Sequence, residues 1–293
     1  MPLSFSILYP LFYLATGLAI GRTPLDIKAR ASALLTKIVI PFVIVYNIAT
    51  ARADVFMVIG WMAITMSAML LISRFATKDP VRNLCFCYLN IGWLGLPIAT
   101  SLFGDGAATI IIAAYVGSSL FGNSVGAGLM AGNGDWRTRI KQTLQAPPVW
   151  ALLIGLAVVP FGASVEPPLR PLYGVAKFLM SFLGMAILGI WLSQAALRAR
   201  DIRDALWPAA ARAVAMLASV TALVVFAHQR GLTLIEDNQA ALYLLAMLPP
   251  AANIIVLETH YLKTGRSAAM IAAGTCISVV VIAVYATVVL LHR

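Results

Sequence analysis

The chain has 293 residues, of which 61% are hydrophobic and 11% charged, and its mean hydropathy is +0.91. A soluble domain carries about 25% charged residues, so this composition excludes an ordinary soluble protein and indicates one that uses lipid as its solvent. The net charge of +10 does not indicate nucleic-acid binding, because the basic residues lie in short loops between apolar runs, where they orient a membrane protein.

Hydropathy predicts ten membrane-spanning helices, since about 20 apolar residues cross the hydrocarbon and unpaired strands are too costly there. The N-terminal apolar run has no basic segment before it and is therefore expected to be the first span rather than a cleaved signal peptide. The expected spans are 3–21, 31–50, 54–73, 81–103, 107–131, 147–164, 172–196, 207–228, 238–261 and 268–291.

Lysine and arginine are distributed unevenly among the loops. The loops after spans 1, 3, 5, 7 and 9 hold Arg22, Lys28, Arg30, Arg74, Lys78, Arg82, Arg137, Arg139, Lys141, Arg198, Arg200, Arg203, Lys263 and Arg266. The opposite side holds only Arg52, Arg170, Arg230 and Arg293. The positive-inside rule therefore predicts a protein of the inner (cytoplasmic) membrane with both termini outside the cytoplasm.

Three further basic residues lie within the predicted spans. Arg212 is near the inner end of span 8, from which a long side chain is expected to reach the interface. Lys37 and Lys177 lie five spans apart, in the loosely similar sequences LLTKIVIPF and GVAKFLMSF. A repeated unit of five spans must be inserted upside down, so this pairing indicates two inverted repeats; two unrelated lysines are the alternative. The expected units are a first repeat at 1–132, a cytoplasmic linker at 133–145 and a second repeat at 146–293.

Spans 4 and 9, again five apart, contain residues that interrupt a helix. Span 4 carries Asn90-Ile-Gly-Trp-Leu-Gly-Leu-Pro97, and span 9 carries Leu248-Pro-Pro-Ala-Ala-Asn253. Proline costs about 3 kcal/mol in a helix interior. Interrupted spans at matching positions of two halves indicate the binding site of a transporter, whereas two ordinary proline kinks are the alternative.

A second half-helix is expected to begin near Pro97 and another near Pro250, because proline is tolerated in a first turn. The amides that follow, those of 98–100 and 251–253, would then be free and point into a gap at mid-membrane. Helix N-termini favour anions. The two breaks therefore predict a site for a carboxylate.

The same segments resemble the auxin efflux carrier family, which includes bacterial members and the plant PIN-formed auxin transporters. NIGWLGLPIATSLFGDGAA (Asn90 to Ala108) and MLPPAANIIVLETHY (Met247 to Tyr261) carry the resemblance, and LLTKIVIPFVIVYNIA in span 2 supports it. The resemblance implies an all-α membrane protein of ten helices in two inverted repeats, with broken helices 4 and 9 crossing. It also implies a scaffold of spans 1, 2, 6 and 7, an elevator-like movement and a homodimer. The long central loop of the plant members is replaced here by the short segment 132–145.

The expected substrate-binding residues follow from the broken spans and from this resemblance, and they are Asn90, Gly92, Gly95, Pro97, Pro249, Pro250 and Asn253. The two asparagines would donate hydrogen bonds to the carboxylate. Lys37 or Lys177 would raise the local positive potential. Asn123, with Ser118 and Ser119, adds polar groups to span 5.

Glu258 is an acidic residue within span 9, near His260. An intramembrane acid is a candidate coupling site, where a proton or sodium would bind. The same residue would equally suit a cap at the inner end of the helix or an ion pair with Lys263.

These features predict a secondary carrier of a small organic anion in the lipid bilayer. The alternatives are a sodium- or proton-coupled carrier on the same fold, a membrane sensor without transport, and an intramembrane enzyme. No enzyme is expected, because the sequence contains no HExxH and no paired intramembrane aspartates. No metal or cofactor is expected either, because Cys85, Cys87 and Cys276 form no cluster with histidine.

Overall fold

The structure is a computed structural model that describes residues 8–24, 27–50, 53–131, 137, 147–194 and 197–291. The expected linker at 133–145, apart from residue 137, and the first residues of expected span 1 lie outside this part of the chain. Every regular element within the described residues is helical.

In the part of the chain that the structure describes, the helices follow one another in fifteen α-helical segments, several joined by π or 3₁₀ turns. They are α1 (Leu8–Ile20), α2 (Lys28–Leu34), a π turn (Leu35–Val39), α3 (Ile40–Ala49), α4 (Ala53–Ala76), α5 (Pro80–Cys87), a π turn (Ile91–Gly95), α6 (Leu96–Phe103), α7 (Asp105–Phe121), a π turn (Gly122–Gly126), α8 (Ala127–Ala131), α9 (Pro147–Val158), a 3₁₀ turn (Val159–Phe161), α10 (Gly162–Gln194), α11 (Ala199–Arg230), α12 (Thr233–Asp237), α13 (Gln239–Leu244), a 3₁₀ turn (Leu245–Met247), α14 (Asn253–Tyr261) and α15 (Ser267–Leu291).

Within the described chain, six helical runs are long and apolar enough to cross a membrane. They are Ala29–Ala49, Asp54–Ala76, Gly106–Ala131, Val149–Gln194, Ala199–Arg230 and Ser267–Val289. Two shorter apolar runs are Tyr9–Ile20 and Ile91–Phe103. These lengths and compositions give the chain the character of an all-α, multi-pass membrane protein.

The run Val149–Gln194 is too long for one crossing. If straight it would measure about 69 Å, more than twice the hydrocarbon thickness of about 30 Å. The sequence predicts a loop near 165–171, but these residues are helical: the α-helix is interrupted earlier, by the 3₁₀ turn at Val159–Phe161, and α10 includes Pro167, Pro168 and Pro171. A helix that extends beyond the hydrocarbon carries polar residues as a loop does, so polarity alone did not distinguish the two.

Small residues allow α1 to pack closely along α10. A Cβ added at Gly17 would lie 2.0 Å from the Ala186 carbonyl oxygen, and one at Gly189 would lie 2.3 Å from the Leu14 carbonyl oxygen. Membrane helices associate through such small residues because these let the backbones approach. The first helix is thereby packed against the longest one.

Two prolines are each preceded by a widened helical turn. Leu35–Val39 precedes Pro41, and Ile91–Gly95 precedes Pro97. Proline has no N–H, and its ring displaces the carbonyl four residues earlier. The residues before it therefore adopt the wider i→i−5 pattern, and the helix passes both prolines without a break.

The segments expected to be spans 4 and 9 are interrupted, as the sequence predicts, but the first break is not at its proline. Helix α5 ends at Cys87, residues 88–90 are not helical, and the chain becomes helical again at Ile91. The expectation that a half-helix begins near Pro97 is therefore wrong, because the π turn accommodates that proline within a continuous helix. The second break runs from the end of the 3₁₀ turn at Met247 to the start of α14.

Candidate functional site

The two interruptions meet each other in space. Residues 88–90 and 248–251, which we call the crossover, pair as an isolated antiparallel bridge centred on Leu89 and Pro250. Two backbone hydrogen bonds of 2.9 Å close the bridge, from the Asn90 amide to the Pro249 carbonyl and from the Ala251 amide to the Tyr88 carbonyl. Each segment thus satisfies backbone groups that the other exposes where its helix stops, as an apolar environment requires.

The bridge is antiparallel, so the chain runs in opposite directions through its two segments. The Ile91–Phe103 run follows one segment directly, and α14 begins two residues after the other. The Ile91 amide donates to the Leu89 carbonyl at 2.9 Å. Within the described residues, no backbone hydrogen bond is formed by the next two amides, those of Gly92 and Trp93, or by those of Ala252 and Asn253 at the start of α14. The amides of 98–100, expected to be free, lie instead inside α6, and the Ala251 amide is used by the bridge.

Asn90 lies within the crossover and is only 4% exposed. Its carbonyl accepts a 3.2 Å hydrogen bond from the Gly95 amide, so its backbone is satisfied on both sides. Its side-chain Nδ2 has no hydrogen-bond partner among the described residues. Leaving a buried donor unpaired costs about 1–3 kcal/mol, so this amide is a donor available for a ligand.

Asn253 is in a different situation, although the sequence predicts the same role for it. It begins α14, and its half-buried side chain interacts with the Tyr88 side chain across the crossover. The Tyr88 ring in turn packs against Gly122, where an added Cβ would lie 2.3 Å from Cζ. Asn253 therefore joins the two broken spans, whereas Asn90 keeps its donor free.

The glycines and prolines of the two motifs supply close packing. Added Cβ atoms at Gly92 and Gly95 would lie 2.7 Å from Tyr115 and 2.8 Å from Leu248, respectively. Pro250 and Pro249 pack on Gly274 of α15. Pro97 is buried within α6, away from the unwound residues. These residues shape the crossover and contribute no side-chain hydrogen bond to it.

A cavity of about 270 Å³ begins next to the crossover and lies between α10, α14 and α15. Its size is near the lower end of small-molecule pockets. No charged side chain of the described residues lines it. The lining residues are Leu188, Trp191, Leu192, Gln194, Ala252, Ile255, Ala268, Ile271, Ala272 and Thr275.

A second groove, of about 780 Å³, lies between α4 and α11 and includes no crossover residue. Its polar side chains bond to one another: Trp61 Nε1 donates to Ser219 Oγ at 3.1 Å, and the Thr65 and Ser219 hydroxyl oxygens are 2.7 Å apart. Because these groups already satisfy each other, we place the candidate site at the crossover and its adjoining cavity.

The two intramembrane lysines lie in other surroundings. Lys37 is exposed within the π turn before Pro41. The Lys177 ammonium is 5.7 Å from the centroid of the Tyr173 ring, a cation–π distance, and that ring stacks on Tyr46 at 4.1 Å. The contacts described for Lys177 include no crossover residue, and Lys37 is exposed. These positions therefore do not support a role for either lysine in the electrostatic potential at the crossover.

Glu258 is fully buried and caps a helix. Its carboxylate accepts hydrogen bonds of 2.8 Å from the backbone amides of Arg266 and Ser267, and a third from the Thr264 hydroxyl. These amides lie at the start of α15, where a negative charge is favourable. The acid therefore caps the helix that follows, not the end of its own, and its basic neighbour is Arg266, at 3.9 Å, rather than Lys263.

The polar residues of span 5 are only partly described. Asn123 lies in the π turn Gly122–Gly126, but its side chain lies outside the described residues. Ser118 is 1% exposed, and its hydroxyl has no partner within the described part of the chain. Ser119 interacts with Tyr115, which packs on Gly92 beside the crossover.

Arg212 is the residue near the site that sequence reasoning missed. It is expected at the membrane interface, but on α11 it is only 4% exposed, and its Nη1 donates to the Cys85 carbonyl at 3.1 Å. Cys85 lies in the last turn of α5, immediately before the crossover. The predicted break could have indicated such a residue, because the last carbonyls of a broken helix need hydrogen-bond donors from elsewhere in the protein.

Comparison with the sequence profiles of known protein families and with curated proteins gave no match for this chain. The resemblance to the auxin efflux carriers thus stays a prediction from the two motifs. The function is accordingly argued from the site.

Proposed function

We propose that this protein is a secondary carrier that moves a small organic anion, a carboxylate, across the cytoplasmic membrane, and that it is a member of the auxin efflux carrier family. In this proposal ten spans form two inverted repeats, with α5 and α6 as the halves of span 4 and α13 and α14 as the halves of span 9. Spans 1, 2, 6 and 7 form a scaffold, past which the other spans move as a unit. The carrier is a homodimer with its termini outside the cytoplasm.

The observation that carries this proposal is the crossover, where two broken helices meet beside the unpartnered amide of Asn90. Helix N-termini and amide donors favour a carboxylate. Unwound backbone is tolerated at membrane depth only where it is buried in protein or lines a cavity. A sensor or an enzyme without transport gains nothing from two such breaks, whereas a carrier needs them to bind its substrate.

The position and lining of the adjoining cavity also support the proposal of a carboxylate carrier. The cavity lies between α10, which belongs to the scaffold in this proposal, and α14 and α15, which belong to the moving unit. A substrate must pass between these two parts. Its uncharged, largely apolar walls favour a substrate with one carboxylate and an apolar remainder, because a second carboxylate would be buried without a partner.

A carrier coupled to sodium or protons through Glu258 is less well supported. Coupling needs an acid that is available to bind the ion, and the Glu258 carboxylate already accepts three hydrogen bonds at the start of α15. Its fixed charge stabilises that helix end. We therefore propose transport that does not use Glu258 as the coupling group.

The proposal is tested by thermal unfolding of the purified protein with propionate, phenylacetate, malonate and succinate, each against its primary amide, in sodium and in potassium buffer. A ligand that binds the native state raises the melting temperature by mass action. We expect a carboxylate to do so and its amide not to. Asn90→Ala should weaken that binding about tenfold to a hundredfold, because one buried hydrogen bond is lost.

Asn83→Ala is the matched control. Asn83 is also a fully buried asparagine with unpartnered amide atoms, but it lies within α5 and outside the crossover. This variant should bind as the wild type does. Equal loss in both variants would contradict the site, and a response to sodium alone, with no response to any carboxylate, would favour the cation-coupled carrier.

A further inference from the structure

Arg212 is a positive charge buried within the helices, and no ion pair with another described residue neutralises it. Its guanidinium is 4% exposed. No carboxylate of the described residues forms an ion pair with it, and its Nε has no hydrogen-bond partner there. Its Nη1 donates a 3.1 Å hydrogen bond to the Cys85 carbonyl. Burying an unpaired charge is costly, so its position calls for an explanation.

The first part of the explanation is the end of α5. The carbonyls of the last turn of a helix have no helical partners, and they form its negative end. The Tyr88 amide donates a hydrogen bond to the Leu84 carbonyl, and the Arg212 side chain donates one to the next carbonyl, that of Cys85. Arg212 therefore offsets a negative helix end that would otherwise face the crossover.

The second part is the charge balance around Cys85. The carboxylates of Asp79 and Glu258 both act electrostatically at that residue, as Arg212 does. Arg266 forms an ion pair with each acid: its guanidinium is 3.1 Å from the Asp79 carboxylate and 3.9 Å from the Glu258 carboxylate. Without Arg212, this region would hold two carboxylates and one guanidinium in addition to the negative helix end.

Arg82 does not change this balance greatly. Its side chain reaches Asp79 at 3.8 Å but is 70% exposed, so solvent and salt screen its charge. An anion bound at Asn90 would therefore meet a negative potential from this side if Arg212 were absent.

We infer that Arg212 determines the charge selectivity of the crossover, because it turns the potential at the end of α5 from one that repels a carboxylate into one that accepts it. This inference rests on the proposed function. Arg212 acts through the field and through the position of α5, without contact to the substrate. The chain from Cys85 to Asn90 spans about 11 Å, and at that distance a buried charge changes the affinity for an anion by roughly tenfold.

The test uses Arg212→Gln and Arg212→Lys with the same four pairs of carboxylate and primary amide. The quantity measured is the ratio of the affinities for a carboxylate and for its amide, since a purely structural role would weaken both ligands alike. We expect Arg212→Lys to keep the ratio within about threefold, because it keeps the charge. Arg212→Gln keeps a donor for the Cys85 carbonyl but not the charge, and it should lower the ratio about tenfold. An unchanged ratio in Arg212→Gln overturns the inference while leaving the carrier proposal in place.

A second variant decides the matter if Arg212→Gln does not fold. Asp79→Asn removes one of the two negative charges and keeps a side chain that caps α5 well; the Asp79 carboxylate now accepts from the Val81 amide at 3.0 Å. The ratio should rise several-fold in this variant, and an unchanged or lower ratio overturns the inference. If no carboxylate of the panel binds the wild type, the proposed function fails, and the inference fails with it.

Discussion

The buried acid Glu258 shows how little a residue's chemistry alone says about its role. The sequence left open a coupling site, a cap or an ion pair. The side chain is fully buried, yet its carboxylate accepts two backbone amides and one hydroxyl. A charge that is satisfied in this way stabilises the start of α15. Burial of an acid in a membrane protein is thus not by itself a sign of a coupling site.

Replacing Glu258 by Gln should lower the free energy of unfolding by about 2 kcal/mol, because hydrogen bonds to a charged group contribute about 1.5–3 kcal/mol and the glutamine NH₂ would face backbone donors. Thermal or denaturant unfolding in detergent measures this change, with the exposed Glu166→Gln as the control. Carboxylate binding should be retained or strengthened, since a negative charge is removed. Unchanged stability together with lost binding would instead favour Glu258 as the coupling group.

At the scale of the helices, glycine decides how closely the broken spans meet their neighbours. Gly274 of α15 lies against the crossover, and an added Cβ would be 2.8 Å from Pro250 Cδ. Gly174 of α10 also lies inside a long helix, but nothing is within 4 Å of its Cβ position. The same residue type is therefore required by packing in one helix and not in the other.

Gly274→Ala should destabilise the protein by about 1–3 kcal/mol, because overpacking pushes against a rigid proline ring. Gly174→Ala should be neutral or stabilising by up to about 1 kcal/mol, because alanine is the better helix former. Unfolding of both variants in the same detergent measures the difference. If the two substitutions cost the same, the crossover is not packed as tightly against α15 as the structure shows.

At the scale of the whole molecule, the arrangement in the membrane follows from the breaks and from the loop charges. The positive-inside rule predicts that Gln229 and Lys263 lie on opposite sides. Helices α12 to α14 and the second break lie between them, and none of these helices alone is long enough to cross. If that prediction is right, these pieces together form one span.

A labelling experiment tests this arrangement. Single cysteines at Gln229 and Lys263 are placed in a chain whose buried Cys85 and Cys87 and half-buried Cys276 are replaced by alanine. We expect a membrane-impermeant maleimide to label Gln229→Cys in intact cells and to label Lys263→Cys only after the membrane is opened. Labelling of both positions in intact cells would mean that residues 230–262 do not cross the membrane.

Much of the fold class could be predicted, because it depends on composition. Apolar runs indicated helices in lipid, and glycine and proline in spans 4 and 9 indicated the breaks. The position of the first break could not be predicted, since a π turn at Ile91–Gly95 accommodates Pro97 and moves the break to residues 88–90. That choice depends on pairing with residues far along the chain, which no local pattern shows.

The candidate site divides in the same way. Asn90 was predicted from its motif to bind the substrate, and this role stays a prediction; its side-chain Nδ2 has no partner among the described residues. Asn253 was assigned the same role, but the structure gives it Tyr88 as a partner. Arg212 was expected at the interface, and its link to the Cys85 carbonyl joins residues that are distant in sequence.

The sequence by itself determined that this protein is built from apolar helices, two of them interrupted, because hydropathy and backbone propensity are properties of neighbouring residues. Only the tertiary structure decided that the interruptions pair with each other, that Glu258 caps α15, and that Arg212 lies at the end of α5. Each of these depends on which distant group satisfies a backbone donor, a backbone acceptor or a charge, and in an apolar environment such groups must find a partner within the protein.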